Sequence, residues 1–127
     1  MNLKIKNALV SLSDKENISS LLRVLKKFNI KIISSGGTYK SIKKLGYACT
    51  ELSKYTGFKE MLDGRVKSLH PKVHAGILHD RQNKTHKKQM SKQKFPPIDL
   101  IIVNFYPFQK IVTESKKSKD IIENIDI

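Results

Sequence analysis

The sequence has very little cysteine and no long apolar run. Cys49 is its only cysteine, which excludes an internal disulfide framework and a zinc site built on cysteines. No apolar run approaches the roughly 18–20 residues that a membrane-spanning helix needs. Charges interrupt the first residues too often for a signal peptide. We therefore expect a protein of the reducing cytoplasm that does not associate with a membrane.

Acidic residues and arginines are also scarce. The 11 Asp and Glu stand against 25 Lys and Arg, so the formal charge is +14, but only Arg23, Arg65 and Arg81 are arginines. A strongly basic small protein is a candidate for nucleic-acid binding, yet bases and phosphates are bound most specifically by arginine. We interpret the charge mainly as a solvated lysine surface, of the kind that an A/T-rich genome produces, and predict no nucleic-acid partner. A basic nucleic-acid-binding module is the alternative, and salt-dependent binding to a random oligonucleotide would favour it.

With 39% hydrophobic residues in 127, the chain can form one core, and its patterns alternate between strand and helix. Short apolar runs predict strands at residues 7–12, 30–34, 47–52 and 99–106. Ser13 and Glu16 have the spacing of a capping box, which predicts that the first helix starts there. Further helices are predicted at 39–45 and from Ser118 to Asn124, and 81–94 is predicted as an exposed loop or helix. This alternation predicts an α/β fold with a mainly parallel sheet and helices on both faces.

Such a sheet binds ligands at the carboxyl ends of its strands. Three loops follow strand ends, at residues 11–15, 35–38 and 104–107, and the topology predicts that they meet at one edge. The sequence Ser35-Gly36-Gly37-Thr38 before a helix can direct backbone N–H groups and a hydroxyl at an anion. An ordinary turn between a strand and a helix is the alternative.

The segment 64–74 is dense in ionisable and hydroxyl side chains within a stretch that has no periodicity. It suits a loop that binds a phosphorylated anion, although a solvated basic loop has the same composition. His70 and His74 have the spacing of some zinc ligands. Pro71 argues against a regular helix through them and no third ligand is evident, so we predict no metal site. Cys49 is predicted to be a small buried residue, and Tyr106 could simply pack by its ring.

Six segments are distinctive enough to compare with known families. They are residues 11–15, 35–38, 55–58, 60–78, 104–108 and 123–127, of which 66–78 is the most specific. In this order they resemble the bifunctional purine-biosynthesis enzymes AICAR transformylase/IMP cyclohydrolase, over about residues 7–127. The resemblance is to their N-terminal cyclohydrolase domain. It implies the methylglyoxal-synthase-like fold, a Rossmann-type three-layer sandwich.

The resemblance implies one step of de novo purine biosynthesis, the closure of FAICAR, a formamido-imidazole-carboxamide ribotide, to IMP with loss of water. This step implies no metal or redox cofactor. The parent enzymes also formylate AICAR with 10-formyltetrahydrofolate, a co-substrate of a transformylase domain that this sequence lacks. Where the family continues with Gly-Gly, the sequence stops at Asp126 and Ile127. We therefore expect residues 1–127 to be a cyclohydrolase domain that is incomplete at its C-terminus, from an enzyme that is a homodimer at full length.

The resemblance also assigns residues to the site. The catalytic set would be Lys67, Tyr106 and Asp126, where we hypothesise that Lys67 and Tyr106 stabilise an oxyanion and Asp126 orients or deprotonates the carboxamide nitrogen. The remaining matched positions would bind the substrate, with 35–38 at its phosphate and ribose and 103–104 near its base. These positions are Ser13, Asp14, Lys15, Ser35, Gly36, Gly37, Thr38, Arg65, Val66, Ser68, Val103, Asn104 and Ile127.

The sequence differs from the usual family pattern at two positions, and one other enzyme of the same fold is an alternative interpretation. Asn17 stands where the family usually has glycine, and Ser68 where it often has threonine. The competing enzyme is methylglyoxal synthase itself, or a regulatory domain of the same fold. The motifs at 70–74 and 104–108 argue against it, and turnover of dihydroxyacetone phosphate would distinguish the two.

Overall fold

The computed structural model describes residues 3–114 and 118–123. Within these residues the chain forms a four-stranded sheet in which every neighbouring pair is parallel. The strands are β1 (Asn7–Ser11), β2 (Lys31–Ser34), β3 (Thr50–Glu51) and β4 (Leu100–Val103), in the order β3-β2-β1-β4. The predicted mainly parallel sheet is confirmed.

Helices fill most of the connections between the strands and follow the last one. In chain order they are α1 (Ile18–Lys27), α2 (Gly36–Lys44), α3 (Leu52–Thr56), α4 (Pro71–Leu78), α5 (Lys84–Gln93), α6 (Phe108–Glu114) and α7 (Ser118–Glu123). None of these helices, within the ranges described, is both long and apolar enough to cross a bilayer.

Alternate residues of the central strand supply two separate hydrophobic clusters. Ala8 and Val10 of β1 pack with Leu22 of α1 and Ile42 of α2 on one face of the sheet, and each of the four is completely buried. Side chains alternate between faces along a strand, so Leu9 points to the other face. Full burial of a side chain such as Leu22 contributes about 1.5–3 kcal/mol.

The second cluster covers the opposite face. It joins Leu9 and Ile33 of the sheet to Leu52 of α3 and Val73 of α4, with Ile98 beside them. Helices therefore pack on both faces of the sheet, as the alternation of patterns predicts.

The start of α1 is not where the capping-box pattern places it. The helix begins at Ile18 after Asn17, whose φ of 62° is left-handed, and Asn17 makes no side-chain cap. The backbone N–H of Glu16 instead donates to Asp14 Oδ1 at 2.9 Å. The prediction of a helix start at Ser13 is wrong, because Asp14 accepts from the Glu16 N–H and the distant Asn104 accepts from the N–H groups of Ser13 and Asp14.

The second helix starts earlier than its predicted bounds. Gly36 and Gly37 form the first turn of α2 rather than a separate turn, and Gly36 has a φ of 54° that suits glycine. The third strand is shorter than predicted, since only Thr50 and Glu51 pair with β2. Cys49, beside this short strand, packs against the first cluster.

The aperiodic segment after α3 contains a helix that the sequence did not predict. α4 begins at Pro71, and His70 caps it by accepting a hydrogen bond from the Lys72 N–H at its Nδ1, 3.1 Å away. The expectation that Pro71 prevents a helix between His70 and His74 is wrong, because proline is well tolerated at the first helical position. The polar stretch predicted as a loop or helix contains α5, and the helix predicted from Ser118 is α7, while Asn124 lies outside the described residues.

Candidate functional site

The carboxyl ends of the strands line one cleft, which we call the carboxyl-edge cleft. Its volume is about 260 Å³. A smaller cavity of about 100 Å³ adjoins it and shares Ser35, Leu52 and Lys67 with it. The other residues that line the cleft are Leu9, Val10, Ser11, Ser13, Ser68, Val103, Asn104, Phe105 and Tyr106. The smaller cavity is further lined by Gly36, Glu51, Ser53, Phe58, Lys59 and Glu60.

The loops after β1 and β4 contact each other at this edge, as predicted. Asn104 Oδ1 accepts hydrogen bonds from the Ser13 N–H at 2.7 Å and the Asp14 N–H at 3.3 Å. Asn104 Nδ2 donates to the Asp14 carbonyl at 2.8 Å. The Asn104 side chain therefore binds the backbone of the loop after β1, in addition to lining the cleft.

The loop after β1 also contacts α2. The Thr38 hydroxyl donates to the Leu12 carbonyl at 3.1 Å, and the Leu12 N–H donates to that hydroxyl at 3.0 Å. Thr38 is only 4% exposed. Its hydroxyl thus binds backbone, and the predicted role of Thr38 in phosphate binding stays a prediction.

One lysine ammonium lies beside the start of α2. A Cβ added at Gly37 would lie 3.6 Å from Lys15 Nζ, so the ammonium group approaches the first turn of the helix where glycine leaves room. Lys15 Nζ also donates to the Ser13 carbonyl at 3.4 Å. Ser35 precedes the helix and its side chain makes no capping bond. A lysine next to the N-terminus of a helix is an arrangement that suits a phosphate group.

Lys67 and Ser68 reach the cleft from a tight turn. Met61 and Val66 bond to each other at both backbone groups, at 3.1 and 3.2 Å, and Gly64 between them has a φ of 86°. The turn therefore reverses the chain directly before Lys67, which lines the same cleft as Tyr106. Arg65 and Val66, which are also predicted to bind substrate, lie in the turn itself.

The remaining wall follows β4 and is largely apolar. Val103 is 54% exposed, Phe105 79% and Tyr106 44%. These fractions leave aromatic and aliphatic surface accessible along this wall, whereas Lys15 lies beside Gly37 and is not among the residues that line the cleft. Such a surface suits a flat heterocycle.

Several lining residues are absent from the predicted site. Glu51 and Ser53 lie at the end of β3, and the rule that directs attention to strand ends would have found them if it had been applied to the third predicted strand as well. Phe58 and Glu60 follow α3 in a segment without periodicity, so no local signal indicated them. Ser11 lies at the start of the predicted loop 11–15, but no role is predicted for it.

Two predicted residues, Asp126 and Ile127, lie outside the described residues. His70 and His74 have structural contacts: His70 caps α4, and His74 Nδ1 lies 3.2 Å from the His70 carbonyl. In the parts of the chain that the structure describes, no cluster of three or more His, Cys, Asp or Glu side chains could hold a metal ion.

Burial, only partly opposed by the charge of Lys43, raises the pKa of the Cys49 thiol to about 11, which disfavours a reactive thiolate.

A parallel sheet with helices on both faces and a cleft at its carboxyl edge places the chain in the broad class of α/β domains that bind ligands at the carboxyl ends of their strands. The model of the MGS-like domain family matches residues 17–127, and the chain belongs to that family. The methylglyoxal-synthase-like fold that the sequence motifs imply is thereby confirmed.

Two curated proteins and one solved structure are similar to this chain. The chain is 46% identical over 126 residues to the bifunctional purine biosynthesis protein PurH of Rhodospirillum rubrum, and 48% identical over 126 residues to PurH of Leptospira biflexa serovar Patoc. These matches cover 98–99% of this chain but 24–25% of the relatives, so the chain spans about a quarter of their length. The crystal structure of ForH is similar with a TM-score of 0.74 and 30% identity, over 80% of this chain and 51% of that one.

Proposed function

We propose that this chain is an IMP cyclohydrolase domain, which closes FAICAR to IMP with loss of water in purine biosynthesis. The observation that carries the proposal is that Lys67 and Tyr106, distant in sequence, line one cleft at the carboxyl edge of the sheet. The high identity to PurH, a purine biosynthesis protein by name, supports the same reaction.

The cleft offers each part of such a ribotide a matching surface. Its phosphate would lie near the Lys15 ammonium and the first turn of α2. Its base would lie against Val103 and Tyr106, which line the cleft. The volumes of the cleft and its adjoining cavity, about 260 and 100 Å³, together fall at the lower end of the range of about 300–1,000 Å³ for small-molecule sites.

The reaction needs an electrostatic site rather than a nucleophile. The carboxamide nitrogen attacks the formyl carbon, a C–N bond forms, and negative charge develops on the formyl oxygen. The carboxamide nitrogen and the formamido nitrogen each lose one proton, the oxygen gains two, and the C–O bond breaks to release water as a C=N bond forms to the formamido nitrogen. The Lys67 ammonium would stabilise that oxygen, and the Tyr106 hydroxyl would donate a second hydrogen bond. The proton lost from the nitrogen requires a base, a role that we assign to Asp126.

We further propose the setting of this domain. The cyclohydrolase step uses no metal or redox cofactor, and the enzyme works in the cytoplasm. In a longer enzyme of the PurH kind, 10-formyltetrahydrofolate would serve a separate transformylase domain and the enzyme would be a homodimer. Ultracentrifugation of this chain and of a full-length relative would test the homodimer.

The test begins with calorimetric titration of the 127-residue chain with IMP, followed by an absorbance assay of FAICAR closure. Lys67→Ala and Tyr106→Phe should each lower the rate about 10²–10³-fold, the usual effect of losing one oxyanion donor. Lys88→Ala, which removes an exposed lysine from α5, is the charge-matched control and should leave the rate unchanged. Wild-type rates in both site variants would overturn the catalytic assignment. Turnover of dihydroxyacetone phosphate without IMP binding would instead favour methylglyoxal synthase.

A further inference from the structure

The loop after β1 is held from two sides by side chains from the segments that follow the neighbouring strands, Thr38 in α2 after β2 and Asn104 after β4. β1 lies between β2 and β4. From the β2 side, the Thr38 hydroxyl bonds to both backbone groups of Leu12. From the β4 side, the Asn104 amide bonds to the backbone of the next two residues. The segment is therefore tethered across the central strand before it reaches Lys15.

The Asn104 side chain uses most of its hydrogen-bonding groups to bind this loop. A side-chain amide has an oxygen with two acceptor sites and an NH₂ with two donors. The oxygen accepts from the N–H groups of Ser13 and Asp14, and one donor binds the Asp14 carbonyl. At most one N–H of Asn104 remains for another partner. A residue whose main role is to bind a base would need more unoccupied hydrogen-bonding groups than this.

We infer that Asn104 is a positioning residue, which together with Thr38 fixes the loop after β1 so that the Lys15 ammonium lies at the start of α2. Lys15 follows the tethered Asp14 directly, and its Nζ lies where Gly37 leaves space. Asn104 thus acts through the backbone on the region where we propose that the phosphate binds, although it directly follows Val103, which lines the cleft where we propose that the base binds. The consequence for substrate rests on the proposed function, whereas the tether itself does not.

The first measurement needs no ligand. In Asn104→Ala, the amide hydrogens of Ser13 and Asp14 should exchange with solvent roughly five- to tenfold faster by NMR, because each loses its acceptor. Asn83→Ala is the matched control, since Asn83 also accepts from two backbone N–H groups, those of Thr85 and His86, but at the start of α5. That control should leave the exchange of Ser13 and Asp14 unchanged.

The second measurement separates positioning from direct contact. Calorimetric titration should show that Asn104→Ala weakens the binding of IMP and of ribose 5-phosphate by the same factor, roughly five- to tenfold, because both carry the phosphate. Thr38→Val should weaken both ligands similarly. The double variant should lose less than the product of the two single losses, because both side chains hold one segment.

Two results would overturn this role of Asn104. One is unchanged exchange of Ser13 and Asp14 in Asn104→Ala. The other is a loss of affinity for IMP alone, which would show direct contact with the base. If the wild-type chain binds neither ligand, the proposed function fails, while the exchange rates still decide whether Asn104 holds the loop.

Discussion

Asp99 is the residue whose charge is most closely tied to the fold. Its side chain is 5% exposed, forms an ion pair with Arg81, and accepts from the N–H groups of Lys6 and Asn7 at 2.7 and 2.9 Å. It thereby joins the start of β4 to the start of β1 and to the segment before α5. Burial acts to raise the pKa of Asp99, but these hydrogen bonds and the charge of Arg81 outweigh it, and the pKa is lowered.

A lowered pKa in the folded state means that the Asp99 carboxylate stabilises the protein above its unfolded pKa of about 3.9. That stability is lost as the pH falls through the folded value. Asp99→Asn should therefore lower the free energy of unfolding at pH 7 by about 1.5–3 kcal/mol, the range for a hydrogen bond to a charged group. Urea unfolding at pH 7 and at about pH 3 should show the difference shrinking in acid. Glu114→Gln, an exposed carboxylate of α6, is the control, and a difference independent of pH would contradict the account.

At the scale of the element, the end of α5 offers a site for stabilisation. Lys94 follows the helix with a left-handed φ of 54°, while the Phe95 N–H donates to the Met90 carbonyl at 3.0 Å. Glycine is the residue that this type of helix end favours. Lys94→Gly should raise the free energy of unfolding by about 0.5–1 kcal/mol, because the strain of a side chain in this conformation disappears.

Lys92→Gly is the matched control for this change. It removes the same charge from within α5 and should destabilise the protein by about 1 kcal/mol, the cost of glycine in a helix. Thermal unfolding would show melting temperatures that move in opposite directions. A fall in both would show that the loss of lysine, and not the backbone conformation at Lys94, governs stability there.

Elements that are defined by local apolar runs could be predicted from the sequence. β1 is buried on both faces, by Ala8 and Val10 in the first cluster and Leu9 in the second, which explains its continuous apolar run. In β4 only Leu100 and Ile102 pack partly against the first cluster, and Ile101 and Val103 are exposed. The loops that follow both strands lie at one edge of the sheet, as predicted. The start of α1 could not be predicted, because Ser13 has its N–H bound by Asn104, 91 residues away. A local capping pattern contains no information about such a distant partner.

Part of the lining of the candidate site could also be predicted from the sequence. Ser13, Ser35, Lys67 and Asn104 were brought together by the topology or by the family resemblance, and all four line the cleft. Glu60, which lines the adjoining cavity, directly precedes the turn that is closed by the pairing of Met61 with Val66. This short antiparallel bridge has no periodic pattern, so it could not be predicted from local sequence.

At the scale of the whole molecule, the charge of +14 opposes folding by self-repulsion. Some lysines are placed favourably, such as Lys26 and Lys27 in the last turn of α1 and Lys43 and Lys44 in that of α2. Lys15 differs from them, since it lies beside the first turn of a helix, where the dipole is unfavourable for a cation. A bound phosphate would remove that conflict, so an anion should stabilise the protein in two separable ways.

The first effect is screening and the second is binding. Raising sodium chloride from about 10 to 150 mM shortens the screening length from about 30 to 8 Å, which should raise the unfolding midpoint by weakening repulsion. Replacing chloride by phosphate at the same ionic strength should raise it further, since a ligand of the folded state adds about 2.7 kcal/mol at a hundred times its Kd. Lys15→Ala should abolish only the additional effect of phosphate, whereas Lys44→Ala, with the same loss of charge, should retain it. Equal midpoints in the two salts for the wild-type chain would show that Lys15 and α2 do not form a phosphate site, because general screening by either anion would then account for all the stabilisation.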